Sequence, residues 1–117
     1  MIKFNNDIPI YLQIMDLILK DIISGKYPPG SQIPPVRELS KLYNANPNTC
    51  QKAVSELTDS GLLVACSTNG KFVTDDLSLL ENQKNNILNE LITKFWEEVN
   101  SLGFTKEEVI DSLREGK

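Results

Sequence analysis

Asn46 followed by Pro47 divides the middle of this 117-residue chain into two pieces that cannot share one helix. An asparagine caps a helix with its side chain, and a proline fits the first turn, where its missing N–H would have no partner anyway. A helix therefore begins at Pro47, and whatever helical pattern precedes Asn46 belongs to a separate element. Before it, Val36, Leu39 and Tyr43 fall at helical spacing on one face, with Arg37, Glu38 and Lys41 on the other. Pro35 is expected at the first helical position of that element. After it, Cys50, Ala53 or Val54, and Leu57 form the apolar stripe, leaving Asn48, Thr49, Gln51, Lys52 and Ser55 opposite. Gly61 is expected to cap the C-terminus.

Two short helices joined by a tight turn, the second with amides, a hydroxyl and a lysine near its start, match the helix-turn-helix plan. Asparagine and glutamine can pair with adenine edges, threonine can meet a thymine methyl, and lysine can reach guanine or phosphate. Every amphipathic surface helix has a polar side, however, so this face alone does not separate base readout from plain solvation. Leu62 to Ala65, then Cys66 to Gly70, then Lys71 to Val73 read as strand, turn, strand. A hairpin directly after such a helix has the place of a wing.

The segment PVRELSKLYNANPNTCQKAVSELTDSGLLVACSTNGKFV resembles the winged-helix domain of the GntR family of bacterial transcription regulators. The lead-in IYLQIMDLILKDIISGKYPPGSQIPP is similar to that family's first helix and its PG-containing turn. VREL, NPNT and the late GKFV carry the resemblance at the expected separations, and a short tail in place of a large effector domain points to the YtrA-like branch. The resemblance implies that Arg37, in VREL, contacts DNA and that the protein is a homodimer. It also implies a repressor, in that branch often of transporter operons. Residues expected at the DNA are Arg37 and Lys41 of the first short helix, Asn46, Asn48, Thr49, Gln51 and Lys52 around and along the second, and Asn69, Gly70 and Lys71 of the wing. Two departures stand out. Pro35 replaces the serine the family usually has there, and Cys66, Ser67 and Asn69 stand where family wings often carry basic residues.

Net charge is −4, at first unfavourable for a polyanionic partner, but the excess acid is all in the tail. Residues 1–75 carry seven basic and seven acidic side chains, and residues 76–117 carry five and nine. Without a basic footprint, DNA affinity should be modest and rest on a local field. The chain has no apolar run long enough to span a bilayer and no secretory signal, so a cytoplasmic protein with no membrane partner is expected. Cys50 and Cys66 have no metal-ligand spacing and no histidine to join them, and they read as free thiols, Cys50 buried and Cys66 more exposed. Glu97 with Glu98 and Glu107 with Glu108 diverge around their helices, so no catalytic carboxylate pair is expected, nor any cofactor.

Ile8 to Ser24 is expected to be the first helix. Its apolar face of Ile10, Ile14, Leu17 and Ile18 is widened by Leu12, Met15, Leu19, Ile22 and Ile23. Gln32 and Ile33 are expected in a short edge strand. From Asp76 to Leu102 apolar residues recur at three and four, Gly103 stops the helix, and Thr105 with Glu108 forms a capping box for a last short helix. The two tail helices cannot bury their faces alone. Leu88, Leu91, Ile92, Phe95, Trp96 and Val99, with Ile110 and Leu113, are expected at a dimer contact, with packing back onto the chain's own first helix as the alternative.

The expected architecture is mostly α with a small β-hairpin: a winged helix-turn-helix DNA-binding domain over residues 1–75, then a two-helix dimerisation tail over 76–117. The expected activity is that of a homodimeric regulator, not an enzyme, binding a two-fold symmetric stretch of double-stranded DNA. The alternative is a winged domain used for protein contacts after DNA binding was lost. The tail is too short for an obvious ligand pocket of a few hundred Å³, so a small-molecule effector, its identity unknown, would bind between subunits.

Overall fold

The computed structural model describes residues 3–66 and 70–116. It divides into two compact units, Met1–Glu81 and Asn82–Lys117. The elements in chain order are α1 (Ile10–Ile23), α2 (Val36–Tyr43), α3 (Pro47–Asp59), β1 (Leu63–Ala65), β2 (Lys71–Val73), α4 (Leu77–Ser101) and α5 (Lys106–Glu115). The fold is therefore mostly helical with one two-stranded antiparallel hairpin. Among the described residues no helix is long and apolar enough to cross a membrane.

In the first unit α1 starts at Ile10, two residues later than its apolar pattern suggests, because Pro9 disfavours helical backbone at Ile8 and itself takes the capping position. Gln13 ties the incoming chain down: its amide nitrogen donates to the carbonyls of Asn5 and Ile8 at 2.7 and 2.9 Å, and its oxygen accepts the Asn5 N–H at 2.8 Å. The widened apolar face of α1 resolves into an inner row, Ile14, Ile18 and Ile22, all buried, with Ile10, Met15, Leu17 and Leu19 partly covered beside it. Leu12 is left 42% exposed.

Pro35 is not the first helical residue of α2. It is the capping residue, with ψ 159°, and its carbonyl accepts the Leu39 N–H at 3.0 Å while its ring offers no side-chain cap. Asn44 ends α2 in the left-handed conformation (φ 53°, ψ 50°), which asparagine tolerates better than most residues. That bend lets the Ala45 N–H close onto the Ser40 carbonyl and brings the chain directly to the next cap. There the Asn46 side chain accepts the Asn48 N–H at 2.8 Å and Pro47 opens α3. The end of α3 is a Schellman closure. Gly61 takes φ +87° and donates to Thr58, while Leu62 donates to Leu57 and both leucines are buried.

The core joins the α1 row to Leu39 and Tyr43 of α2, Cys50, Ala53, Val54 and Leu57 of α3, and Leu62, Leu63 and Val73 of the hairpin. Full burial of such side chains contributes roughly 1.5–3 kcal/mol each before ordering costs. In the hairpin, Leu63 pairs with Val73, Val64 with Phe72 and Ala65 with Lys71. Gln32 and Ile33 do not form a strand. Gln32 pairs with Phe72 as an isolated bridge, while Gly30 and Ile33 donate to Val73 and Lys71, and Val73 donates back to Ser31. Prolines at 28, 29, 34 and 35 flank these residues, and with so few backbone donors the third row stays this short.

In the second unit, Gly103 (φ +86°) stops α4 and Thr105 starts α5. The capping box is complete: the Thr105 hydroxyl accepts the Glu108 N–H and the Glu108 carboxylate accepts the Thr105 N–H, both at 3.1 Å. Phe95 and Trp96 meet edge to face at 5.5 Å, and the Lys106 ammonium stands 5.7 Å from the Trp96 ring. Among the described residues of this unit only Val109 is buried.

Candidate nucleic-acid interface

α3 turns its apolar stripe inward completely, so its outward side is set by what remains. Asn48, Gln51, Lys52 and Ser55 are exposed, and Thr49 is half-buried at the edge. Gln51 is steadied by a hydrogen bond from its amide nitrogen to the Ser55 hydroxyl at 3.2 Å, with its carbonyl oxygen left over. Asn46 is exposed, and its side-chain oxygen is held by the cap, so its amide donors are the part most open to a ligand. The second half of the helix differs in charge. Glu56 and Asp59 are exposed there, so phosphate would be repelled beyond the second turn and attracted at the first, where the helix dipole adds its positive end.

Arg37 and Lys41 lie one turn apart on α2, both exposed. The surface ion pairs among the described residues are Lys20 with Asp16 and Lys26 with Asp21, so neither Arg37 nor Lys41 is in one. Lys52 is placed differently, with its ammonium 4.1 Å from the centre of the Tyr11 ring of α1. No signal in the sequence links these two residues, which stand forty-one positions apart on different helices.

The wing meets α3 along a cleft of about 310 Å³, where Gln51 and Val54 face Gly70, Lys71, Gln32 and the prolines 34 and 35. Gly70 has φ +94°, the left-handed region that favours glycine, whereas the 2.9 Å approach of a Cβ there to the Gln32 amide nitrogen would be relieved by a small shift of that flexible side chain. Asn69, expected at the DNA, lies outside the described residues. Cys66 is exposed at the hairpin and Cys50 is buried in the core, where burial pushes its thiol above the ordinary value. Among the described residues no group of His, Cys, Asp or Glu is arranged to hold a metal.

The chain matches the bacterial regulatory proteins of the gntR family over residues 10–73, the whole helix-turn-helix and hairpin just described. It belongs to that family. This GntR-family chain is 30% identical over 112 residues to the HTH-type transcriptional regulator YhcF of Bacillus subtilis, covering 96% of this chain and 93% of that one. It is 32% identical over 94 residues to the HTH-type transcriptional repressor YtrA of the same organism, covering 80% and 68%. The relation to YtrA-type regulators implied by the sequence is therefore found. A solved GntR family transcriptional regulator from Listeria monocytogenes superposes with a TM-score of 0.86 at 32% identity, covering 97% of this chain and all of that one. The AraR DNA-binding domain, solved in complex with the operator ORX1, superposes with a TM-score of 0.55 at 29% identity over 63% of this chain and 90% of that one. The GntR-family chain is a transcription regulator with a DNA-binding helix-turn-helix, and its relatives are regulators rather than enzymes.

The tail residues expected at a dimer contact lie on α4 and α5. Leu88, Leu91, Ile92 and Phe95 are all more than 40% exposed, Trp96 and Val99 are half-buried, and Ile110 and Leu113 are exposed. One expectation fails here. The tail does have a concavity, an open apolar one of about 260 Å³ between α4 and α5 lined by Phe95, Val99, Phe104, Val109 and Leu113. Phe104, whose N–H donates to the Val99 carbonyl just after Gly103, lies in the connection between the two helices.

Proposed function

We propose that this GntR-family regulator is a cytoplasmic, homodimeric repressor that binds a two-fold symmetric operator. Residues 1–75 serve as the winged DNA-binding domain and 76–117 as the dimerisation tail. The observation that carries this reading is the bare polar side of α3's first two turns, flanked by Arg37 and Lys41, which have no ion partners among the described residues. Asn48, Thr49 and Gln51 would meet base edges in the major groove, where Gln51 can accept and donate at an adenine. Arg37, Lys41, Lys52 and Lys71, with the amide donors of Asn46 and Asn69 and the backbone of Gly70, would hold phosphates and fix the register. Two subunits would set their α3 helices in successive major grooves about 34 Å apart.

Dimerisation would use Leu88, Leu91, Ile92, Phe95, Trp96 and Val99 of α4 with Ile110 and Leu113 of α5. A helix that exposes this many large apolar side chains at three-and-four spacing has the pattern of a contact surface and not of a solvated face.

The test is selection of bound fragments from the host genome, followed by titration of the best fragment and of random duplex against salt. A regulator gives a clear negative slope, about 0.9 per neutralised phosphate, and a large preference for the selected fragment. Arg37→Ala should weaken binding to both duplexes and lower the salt slope, and Gln51→Ala should abolish the preference, each leaving the melting curve unchanged. A protein-contact module gives no slope and no selected fragment, and that outcome would overturn the proposal.

A further inference from the structure

We infer that Tyr11 is a positioning residue for DNA binding: its ring holds the Lys52 ammonium at the α1 edge of the recognition face, where it meets a backbone phosphate. This rests on the DNA-binding reading above. The ammonium stands 4.1 Å from the Tyr11 ring centre, well inside the range of a cation–π contact. Lys52 also has Glu56 one turn along α3, a spacing that permits an ion pair, yet among the described residues that pair is not formed. The cation lies on a neutral ring and not on a carboxylate, so its charge is not cancelled before DNA arrives. A ring covers one side of an ammonium and leaves N–H donors open on the other.

Position decides the acceptor. Gln51 and Lys52 leave the helix about 100° apart. Gln51 lines the wing cleft, whereas Lys52 is drawn the other way, to α1. Held at the rim of the face, Lys52 suits the strand backbone rather than a base edge in the groove. Tyr11 is itself anchored, packed partly buried against the core on a helix whose start is tied by Gln13. A lysine ordered before binding loses less rotamer freedom on contact.

The test uses the full chain with Tyr11→Leu, Tyr11→Phe, Lys52→Met and the Tyr11→Leu/Lys52→Met double variant. Tyr11→Leu should weaken duplex binding by about two- to five-fold, the size of an exposed cation–π contact, and Tyr11→Phe should restore it. Lys52→Met should lower the salt slope by about one unit per protomer. Adding Tyr11→Leu to Lys52→Met should change nothing further. A Tyr11→Leu effect that persists in the Lys52→Met background would overturn the positioning role, and a Lys52→Met effect confined to the selected fragment, with the slope unchanged, would overturn the phosphate assignment. Without DNA, the Lys52 side-chain protons should show upfield NMR shifts from the ring, lost in Tyr11→Leu. Their absence in the unaltered protein also overturns the inference. If those shifts are present but no variant or parent shows salt-dependent binding, the DNA-binding reading fails and the role at phosphate with it.

Discussion

The two units are built from similar helical patterns and treat them in opposite ways. In Met1–Glu81 the apolar stripes of three helices and a hairpin converge, and the residues of the central cluster are covered almost completely. In Asn82–Lys117 apolar residues recur just as regularly, yet Leu88 and Leu91 are more than half exposed and Val109 alone is buried among the described residues. Three elements crossing at an angle can close a core within one short chain, whereas two helices joined by a tight reversal can cover only the sides that face each other. The first unit closes a core of its own, and the second leaves large apolar side chains exposed.

The largest effect should come from the open surface. Phe95→Asp places a charge in the exposed apolar stripe of α4 and should convert a dimer to a monomer in sedimentation velocity. Losing the linkage between two half-sites should weaken binding to the selected fragment by about 10²- to 10⁴-fold, with the first unit still folded. A monomeric parent protein, or a Phe95→Asp variant that remains dimeric, breaks the contrast drawn between the units.

The closed core gives the next effect. Leu57 is 1% exposed at the end of α3, and Leu57→Ala should cost about 2–5 kcal/mol in urea or thermal unfolding. Leu91, at 55% exposed, should cost under about 0.5 kcal/mol when changed to alanine in dilute protein, and more as concentration rises and a dimer forms. Equal costs at all concentrations would mean that the second unit has a core of its own.

What could be read in advance follows the same division. Local chemistry was legible: the Asn46 cap, Pro47, Gly61, Gly103 and the Thr105–Glu108 box each depend on neighbours within a turn, and each is found at its expected place. Pro35 lies one position earlier in its helix than the sequence suggests, because a proline satisfies both a capping and a first-turn geometry and only the path of the incoming chain distinguishes them. Contacts between distant segments were hidden. Nothing local places Tyr11 under Lys52 or Gln32 beside Gly70, since both depend on how the helices and the hairpin pack. Gln32 and Ile33 kept the bonding of a strand edge without its length because the prolines around them lack donors. The concavity in the tail is hidden for a related reason, since it depends on how α4 and α5 are set across Gly103, which periodicity does not carry.

The smallest effect tests how complete the core of the first unit is. Tyr43 is 4% exposed, and its hydroxyl has no hydrogen-bond partner among the described residues, so its ring stabilises the cluster while its oxygen does not. Tyr43→Phe removes an unsatisfied group and should raise stability by about 1 kcal/mol. The same burial, reinforced by Tyr27, Asp21 and Cys50 nearby, pushes the phenol well above its ordinary 10.0. The unfolded chain releases this proton near 10.0 while the folded chain keeps it, so above that pH the folded state binds more protons and stability falls. For one proton the fall is about 1.4 kcal/mol per pH unit, and Tyr43→Phe should remove this part of it, leaving the part due to Tyr27, whose phenol is also raised by burial. Cys50, raised by burial from 9.0, should still give its own loss beginning about one pH unit lower, which separates the thiol from the phenols in one titration of urea midpoints. If Tyr43→Phe destabilises the protein and leaves the alkaline limb unchanged, the hydroxyl has a partner in solution and the core is less dry than its packing indicates.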